Sequence, residues 1–308
     1  MGIIKRIVLG VHLLLVCGFY AHAAEPKTNQ PITIDTQRIV WKGDLDGMIK
    51  RRIIRVLLPY NKTLYFLDKG GQQRGLMYDM MTAFEQDLNK QVATKHLKVQ
   101  FIFVPTSRDR LIPDLLAGKG DIIAADLTVT PERKKLIAFS TPIAKGVKEV
   151  IVTSSKGPLL NSLDDLSGQT VFVNPSTSYA ESLKLLNAQF AKQKRPLIII
   201  KDAPGIFETE DILEMVNANL APITVADFYL ADFWKQIFPN LNIHQNLTLR
   251  TEGELAFGFR KNSPELQKAL DAFTDKNKIG SSFGNQKLQT YLKSIKWVKN
   301  ATDPTELK

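Results

Sequence analysis

The sequence predicts an α/β protein of two consecutive lobes with a ligand cleft between them. Apolar, strand-like runs alternate with segments of helical periodicity from about residue 53 to residue 295, which is typical of a largely parallel sheet covered by helices. The alternation forms two successive units, and the chain crosses between them near residues 145–152 and 249–256. Two lobes linked by two crossings of the chain place a small ligand in the cleft between them.

The composition is that of a globular protein with a hydrophobic core. The 308 residues are 44% hydrophobic and 23% charged, with a formal net charge of +10. The basic residues are scattered rather than clustered with aromatic residues, so we predict no nucleic-acid partner. We expect a soluble monomer with a basic surface.

The first 23 residues predict a cleaved secretory signal peptide. Lys5 and Arg6 precede an apolar run over 7–20, and a small-x-small pattern over 21–23 marks the cleavage site. The only cysteine, Cys17, lies inside this segment, so the mature chain forms no disulfide, which suits a bacterial periplasm. Lipidation at Cys17 is the alternative, although Val16 is a poor residue before a lipidated cysteine.

The elements of the first unit follow a polar lead-in over residues 24–50, which we expect to be flexible, with a short helix or strand near 37–41. Leu76, Met80, Phe84 and Leu88 recur at helical spacing. The predicted elements are a strand over 53–58, a glycine-rich turn over 68–75, a helix from 76, a strand over 97–105, a helix from 107 that Gly118 ends, and a strand over 121–127.

The second unit repeats the alternation of strands and helices, and the chain then returns to the first unit. Its predicted strands cover 148–154, 170–173, 195–202 and 222–227, and its helices begin near 179, 211 and 228. A last apolar strand covers 253–262, a helix follows with Ser263 as N-cap and Pro264 at its first position, and a final helix covers 280–295. We therefore assign 51–147 plus 253–297 to lobe 1, 148–252 to lobe 2, and 298–308 to a polar tail.

Signatures of catalysis and of metal binding are missing from the sequence. The mature chain has two histidines, His96 and His244, without carboxylates at metal-ligand spacing. It has no GxSxG, no GxGxxG and no Walker pattern. We expect no catalytic residues, no cofactor and no metal.

The segment around Arg133 contains the strongest candidate for ligand binding. Thr130 and Pro131 predict a helix start, where free N–H groups attract anions. Arg133 adds a planar donor fork that fits a carboxylate, and a solvated surface position is the equally supported alternative. For Lys134 and Lys135 we favour the solvated surface.

Further candidates lie at three other places in the chain. Ser176 and Thr177 precede a helix and either cap it or face the cleft. Asp227 follows a buried strand, where α/β proteins meet ligands, and capping of the next helix is the alternative favoured by the local sequence. Tyr60 and Tyr65 flank the turn after the first strand and either cover an apolar part of a ligand or pack against the protein.

The segments over 55–61, 74–89, 120–143, 176–183 and 224–233 together resemble type 3 extracellular solute-binding proteins. The resemblance implies a periplasmic binding protein type II fold, in which two lobes close on an amino-acid-like ligand.

The resemblance also implies roles for individual residues. Arg133 would bind the ligand carboxylate with Thr128 beside it, Ser176 and Thr177 would clamp from lobe 2, and Asp227 would hold the α-ammonium. Asp126 departs from the family pattern, which has a small or neutral residue there. It either strengthens ammonium binding or alters the ligand class.

The segments over 107–142, 210–241, 260–273 and 291–302 resemble, more closely, the solute-binding-like N-terminal module of membrane-bound lytic transglycosylases F. We therefore expect a non-catalytic periplasmic protein that binds a small zwitterionic or anionic ligand, such as an amino acid or a cell-wall peptide. Its partner would be an ABC permease or peptidoglycan-processing machinery. The alternatives are a regulatory module of a lytic transglycosylase system and a dehydratase of prephenate-like acids.

Overall fold

The structure is a computed structural model that describes residues 40–92 and 97–298. The predicted signal peptide, the lead-in up to residue 39, His96 and the tail from residue 299 lie outside the described residues. Within the described ranges, no helix combines the length and apolarity that crossing a membrane requires.

The described strands, in chain order, are β1 (Ile53–Leu58), β2 (Phe66–Leu67), β3 (Gln73–Arg74), β4 (Gln100–Pro105), β5 (Ile122–Thr128), β6 (Ala138–Phe139), β7 (Ala144–Ser154), β8 (Thr170–Val173), β9 (Ile199–Asp202), β10 (Ile223–Asp227) and β11 (Leu241–Phe259). The described α-helices are α1 (Leu45–Arg51), α2 (Leu76–Gln91), α3 (Leu111–Ala117), α4 (Pro131–Leu136), α5 (Ser178–Lys192), α6 (Thr209–Asn217), α7 (Phe228–Lys235), α8 (Pro264–Asn277) and α9 (Ser282–Leu292).

One mixed sheet runs through the molecule in the order β4-β1-β5-β11-β7-β10-β8-β9, and β6 pairs with β11. The strands at each end are parallel to one another, β4-β1-β5 on one side and β10-β8-β9 on the other. The long strands β7 and β11 are antiparallel and join the two halves. We call the half with β4, β1 and β5 the first lobe and the half with β10, β8 and β9 the second lobe.

The two parallel halves of the sheet confirm the α/β prediction. Parallel pairing is possible because a helix lies between consecutive strands of the chain. Each parallel pair needs a crossover connection, which α2 supplies between β1 and β4 and α5 supplies between β8 and β9. Strands β5 and β10 are buried along their whole length. The lobe boundaries at 147/148 and 252/253 stay a prediction, because β7 and β11 run through both.

The start of the described chain is attached to the first lobe by Asp44. Its carboxylate accepts from the N–H of Leu45 at 2.7 Å and from those of Glu265 and Leu266 at 2.9 Å each. One side chain therefore caps both α1 and α8. Ser263 holds the N-cap position of α8, as the sequence predicts, but its side chain makes no capping hydrogen bond.

Candidate functional site

Arg133 lies at the meeting of the two lobes. Thr130 caps α4 by accepting from the N–H of Arg133 at 3.3 Å, which fixes the backbone from which the Arg133 side chain extends. The Arg133 side chain is 7% exposed. Its Nη1 donates to the Thr128 carbonyl of the first lobe and its Nη2 to the Ser176 carbonyl of the second, both at 2.8 Å.

The lysines beside Arg133 behave differently, as the sequence predicts. Lys134 and Lys135 are exposed, and Lys135 pairs with the exposed Glu132 of its own helix at 2.6 Å. Burial lowers the pKa of Arg133, while Glu181 of α5, 3.5 Å from Nε, opposes that shift. The cleft therefore contains a desolvated guanidinium, and its anionic neighbour is the Glu181 carboxylate.

The second-lobe residues before α5 meet Thr128 across the cleft. Ser178 Oγ donates to Thr128 Oγ1 at 3.0 Å, and both side chains are buried. Thr177 is the N-cap residue of α5, yet its hydroxyl donates to the Asn174 carbonyl at 2.7 Å instead of capping the helix. Ser176 thus contributes its carbonyl, Thr177 is bonded within its own loop, and Ser178 contributes a hydroxyl that the sequence analysis did not single out.

Asp227 occupies the carboxyl end of β10 and is 2% exposed. It holds the N-cap position of α7, but its side chain does not cap the helix. Its backbone N–H donates to Tyr179 Oη at 3.1 Å, and its Oδ1 is buried without a hydrogen-bond partner among the described residues. Burial, followed by the charges of Asp126 and Glu149, raises the pKa of Asp227 well above its ordinary value.

A buried ionic cluster fills the middle of the cleft, and the sequence analysis missed two of its members. Arg108, just after β4, donates from Nη2 to Asp126 Oδ1 at 3.1 Å and to Glu208 Oε2 at 2.6 Å. Asp126 also accepts from Tyr229 Oη at 3.3 Å. Asp126 has φ 46°, a left-handed conformation that Asp tolerates better than most residues.

Burial and the neighbouring charges have opposite effects on the pKa values of this cluster. Burial raises the pKa of Asp126 and of Glu208, and Arg108 counteracts both shifts. Burial alone lowers the pKa of Arg108, but the two carboxylates outweigh it and raise the pKa well above its ordinary value. Arg108 is therefore a permanent cation between two acids, one from each lobe.

A cavity of about 10 Å³ remains between these groups, which is room for about one water molecule. The residues around it come from both lobes and are Arg108, Asp126, Thr128, Arg133, Thr177, Ser178, Tyr179, Thr209 and Asp227. Five of them were candidates from the sequence: Asp126, Thr128, Arg133, Thr177 and Asp227. The two lobes are thus closed against each other.

The predicted tyrosines lie away from this cavity. Tyr65 is 5% exposed and stacks on Phe103 of β4, with ring centroids 6.1 Å apart. Tyr60 contacts Tyr65 edge-on at 6.2 Å and lines a groove of about 730 Å³ between the lobes. Tyr65 therefore packs within the first lobe, whereas Tyr60 faces the outer part of the cleft.

Among the described residues, no group of His, Cys, Asp and Glu side chains is arranged to hold a metal ion. His244 lies in β11, where its Nε2 is 2.9 Å from Thr153 Oγ1. Burial lowers the pKa of His244.

Comparison with known proteins agrees with the fold. Two relatives are the membrane-bound lytic murein transglycosylases F of Methylobacillus flagellatus, 27% identical over 68% of this chain, and of Desulfosudis oleivorans, 30% identical over 79%. The chain spans 41% and 48% of the lengths of these relatives. A similar solved structure is the ancestral amino acid-binding protein AncCDT-1, a precursor of cyclohexadienyl dehydratase, 25% identical with a TM-score of 0.61 over 80% of this chain and 98% of that one.

The family match covers most of the described residues. Residues 54–283 match the family of bacterial extracellular solute-binding proteins, family 3, and this range contains most of both lobes, both long strands and every residue around the cavity. The chain belongs to the bacterial extracellular solute-binding proteins of family 3.

Proposed function

We propose that the protein captures a small amino-acid-like ligand by closure of the two lobes, in the periplasm and without catalysis. The observation that carries the proposal is the pairing of opposite charges around one cavity. Arg133 and Asp227 line the same cavity, and Oδ1 of Asp227 is buried without a hydrogen-bond partner among the described residues. A zwitterion complements both side chains, because its carboxylate fits the guanidinium, whose present anionic neighbour Glu181 is 3.5 Å away, and its ammonium favours the ionised form of Asp227, whose pKa burial raises.

In this proposal the hydroxyls of Thr128 and Ser178 complete the polar surroundings of the ligand. They now bond to each other across the cleft at 3.0 Å, and lobe opening would free both. Asp126 is a weak candidate for the ligand ammonium, because Arg108 and Tyr229 already hold its two oxygens. Asp227 therefore remains the better ammonium partner.

The test is calorimetric titration of the purified protein with a panel of amino acids and muropeptides. We expect one class of ligand to bind, and we expect Arg133→Ala to weaken it by about 100-fold, since a charged hydrogen bond contributes about 1.5–3 kcal/mol. Lys134→Ala is the matched control, one residue away and exposed, and should bind as the parent does. Equal binding by Arg133→Ala and the parent would contradict the proposal.

A second candidate function is regulation within a peptidoglycan lytic transglycosylase system. The similarity to transglycosylase F relatives over 68–79% of this chain favours it. Pull-down with peptidoglycan and with a lytic transglycosylase domain separates this role from transport, which requires an ABC permease. Turnover of a prephenate-like acid would instead support the dehydratase alternative and contradict a purely binding role.

A further inference from the structure

We infer that Asp126 and Glu208 form a cation subsite of the cleft and that the chain's own Arg108 occupies it as a tethered competitor of cationic ligands. The inference extends the proposed function, because it adds a charge preference to the same cleft. It does not depend on the role of Arg133.

The Arg108 guanidinium is bound on several sides, as a free guanidinium ion would be. Its Nη1 donates to the Ala125 carbonyl at 3.2 Å, its Nη2 donates to Asp126 Oδ1 and Glu208 Oε2, and its Nε donates to both oxygens of Glu208 at 3.2 Å. The three side chains are 8%, 6% and 4% exposed. Such a planar, desolvated arrangement selects a guanidinium over a compact ammonium.

The charge of the subsite restricts what can replace Arg108. If Arg108 leaves, the carboxylates of Asp126 and Glu208 lose their cation while they are still buried, and an unpaired buried charge is strongly unfavourable. A ligand that takes the place of Arg108 therefore binds best if it brings a positive charge, because otherwise the two carboxylates, whose pKa values burial already raises, have to take up protons. An anionic or neutral ligand side chain is expected to bind with Arg108 in place.

The groove outside the subsite carries the same sign of charge. It has a volume of about 730 Å³, reaches Glu208 from solvent, and is lined by the acids Glu208, Asp211 and Glu214, with Lys62 as the one cationic side chain among the described residues that line it. Glu210 also lines the groove, but its raised pKa of about 8 keeps it neutral near pH 7. A field of one sign in a cleft concentrates ions of the opposite sign. Cations therefore have an electrostatically favourable path to the subsite.

The tether gives Arg108 an advantage over any free competitor. A group on the same chain acts at an effective concentration in the millimolar range or above. The intact protein should therefore bind free guanidinium groups weakly, and removal of the Arg108 side chain should expose the subsite.

The experiment compares the parent chain with Arg108→Ala, using methylguanidinium chloride as the probe and sodium chloride at equal ionic strength as the reference. We expect a concentration-dependent rise in the Tm of Arg108→Ala, about 3–5 °C at ten times the Kd, and little change in the parent. Arg110→Ala is the matched control, since Arg110 is an exposed arginine two residues away that pairs with Asp114. It should respond as the parent does.

The double variant Arg108→Ala/Glu208→Gln tests the site itself and should lose at least tenfold in affinity for methylguanidinium. Arg108→Gln serves in place of the alanine variant if the latter does not fold. The inference is overturned if the arginine-deleted variant responds no better than the parent, or if the double variant binds equally well. Methylguanidinium has no carboxylate, so these outcomes are independent of whether Arg133 binds one.

Discussion

Arg108 Nη2 lies 2.6 Å from Glu208 Oε2, and this contact joins the two lobes through their buried faces. A second contact lies beside it, where Glu210 Oε1 accepts from the N–H of Lys62 at 2.9 Å. Both acids stand at the start of α6 in the second lobe, whereas Lys62 lies in the loop after β1 and Arg108 begins a short 3-10 helix after β4 of the first lobe. The start of α6 is therefore a main point of contact between the lobes when the cleft is closed.

Glu208→Gln should weaken lobe closure. The substitution keeps the shape of the side chain and its oxygen but removes the charge that faces Arg108. We expect the free energy of unfolding to fall by about 1–3 kcal/mol and the radius of gyration in small-angle scattering to rise, because open conformations gain population. Arg108 would retain Asp126, so the loss should be partial.

Glu132→Gln is the control for that experiment. Glu132 pairs with Lys135 at the same distance of 2.6 Å, but the two side chains are 67% and 68% exposed. An exposed pair contributes less than about 1 kcal/mol. If both variants behaved alike, burial of the Arg108–Glu208 pair would have no consequence for closure.

Glu210 should make stability depend on pH. Burial, followed by the charges of Glu208 and Asp211, raises its pKa to about 8 from an ordinary value of 4.5. The folded protein therefore keeps a proton on Glu210 between these values, whereas the unfolded chain loses it. The stability should consequently fall as the pH rises from 4.5 to about 8, and the contribution of Glu210 should not change further above that.

The measurement is denaturant unfolding of the parent and of Glu210→Gln between pH 5 and pH 8. The glutamine keeps an acceptor for the Lys62 N–H and does not titrate. Between pH 5 and pH 8 the free energy of unfolding of the parent should therefore fall by up to about 4 kcal/mol more than that of Glu210→Gln. Glu214→Gln, an exposed position on the same helix, should leave the slope of the parent intact. A parent slope that Glu210→Gln does not reduce would show that Glu210 titrates normally.

The sequence predicts those parts of the site that depend on local chemistry. Thr130 and Pro131 start α4 as expected, and β10 passes into α7 at Asp227. These features follow from capping preference and hydrophobic pattern, which are properties of neighbouring residues. The ligand-binding roles of Arg133 and Asp227 stay predictions.

Arg108 and Glu208 were missed because their contact spans 100 positions in the chain, and no local pattern encodes it. One signal was available, because Asp126 is an acid in an otherwise apolar run. A buried acid needs a cation, and Arg108 follows a strand that ends at the same edge of the sheet. The same long-range limit hid the role of Asp44, which caps α8 more than 200 positions away.

Asp44→Ala should destabilise the first lobe. Its carboxylate accepts three backbone N–H groups at the starts of α1 and α8, and loss of a cap reduces stability by about 1 kcal/mol per helix. We expect a decrease of about 2 kcal/mol in the free energy of unfolding, without a change in ligand affinity. Asp46→Ala, an exposed acid in the first turn of α1, should have a smaller effect, and similar losses in the two variants would argue against capping by Asp44.

Gly253 should control the spacing of β7 and β11, the two hinge strands that join the lobes. It lies in β11 opposite Val147 of β7, and a Cβ atom at this position would be 2.7 Å from the Val147 carbonyl oxygen. Because that contact is with backbone, Gly253→Ala should push the two hinge strands apart and lower the free energy of unfolding by about 1–3 kcal/mol. We also expect a shifted lobe angle, seen as a changed radius of gyration, and weaker ligand binding, although residue 253 does not line the cavity.

Gly47→Ala in α1, where an added Cβ meets nothing within 4 Å, is the control and should be neutral or stabilising. Unchanged stability, scattering and affinity in Gly253→Ala would show that the strands tolerate separation here.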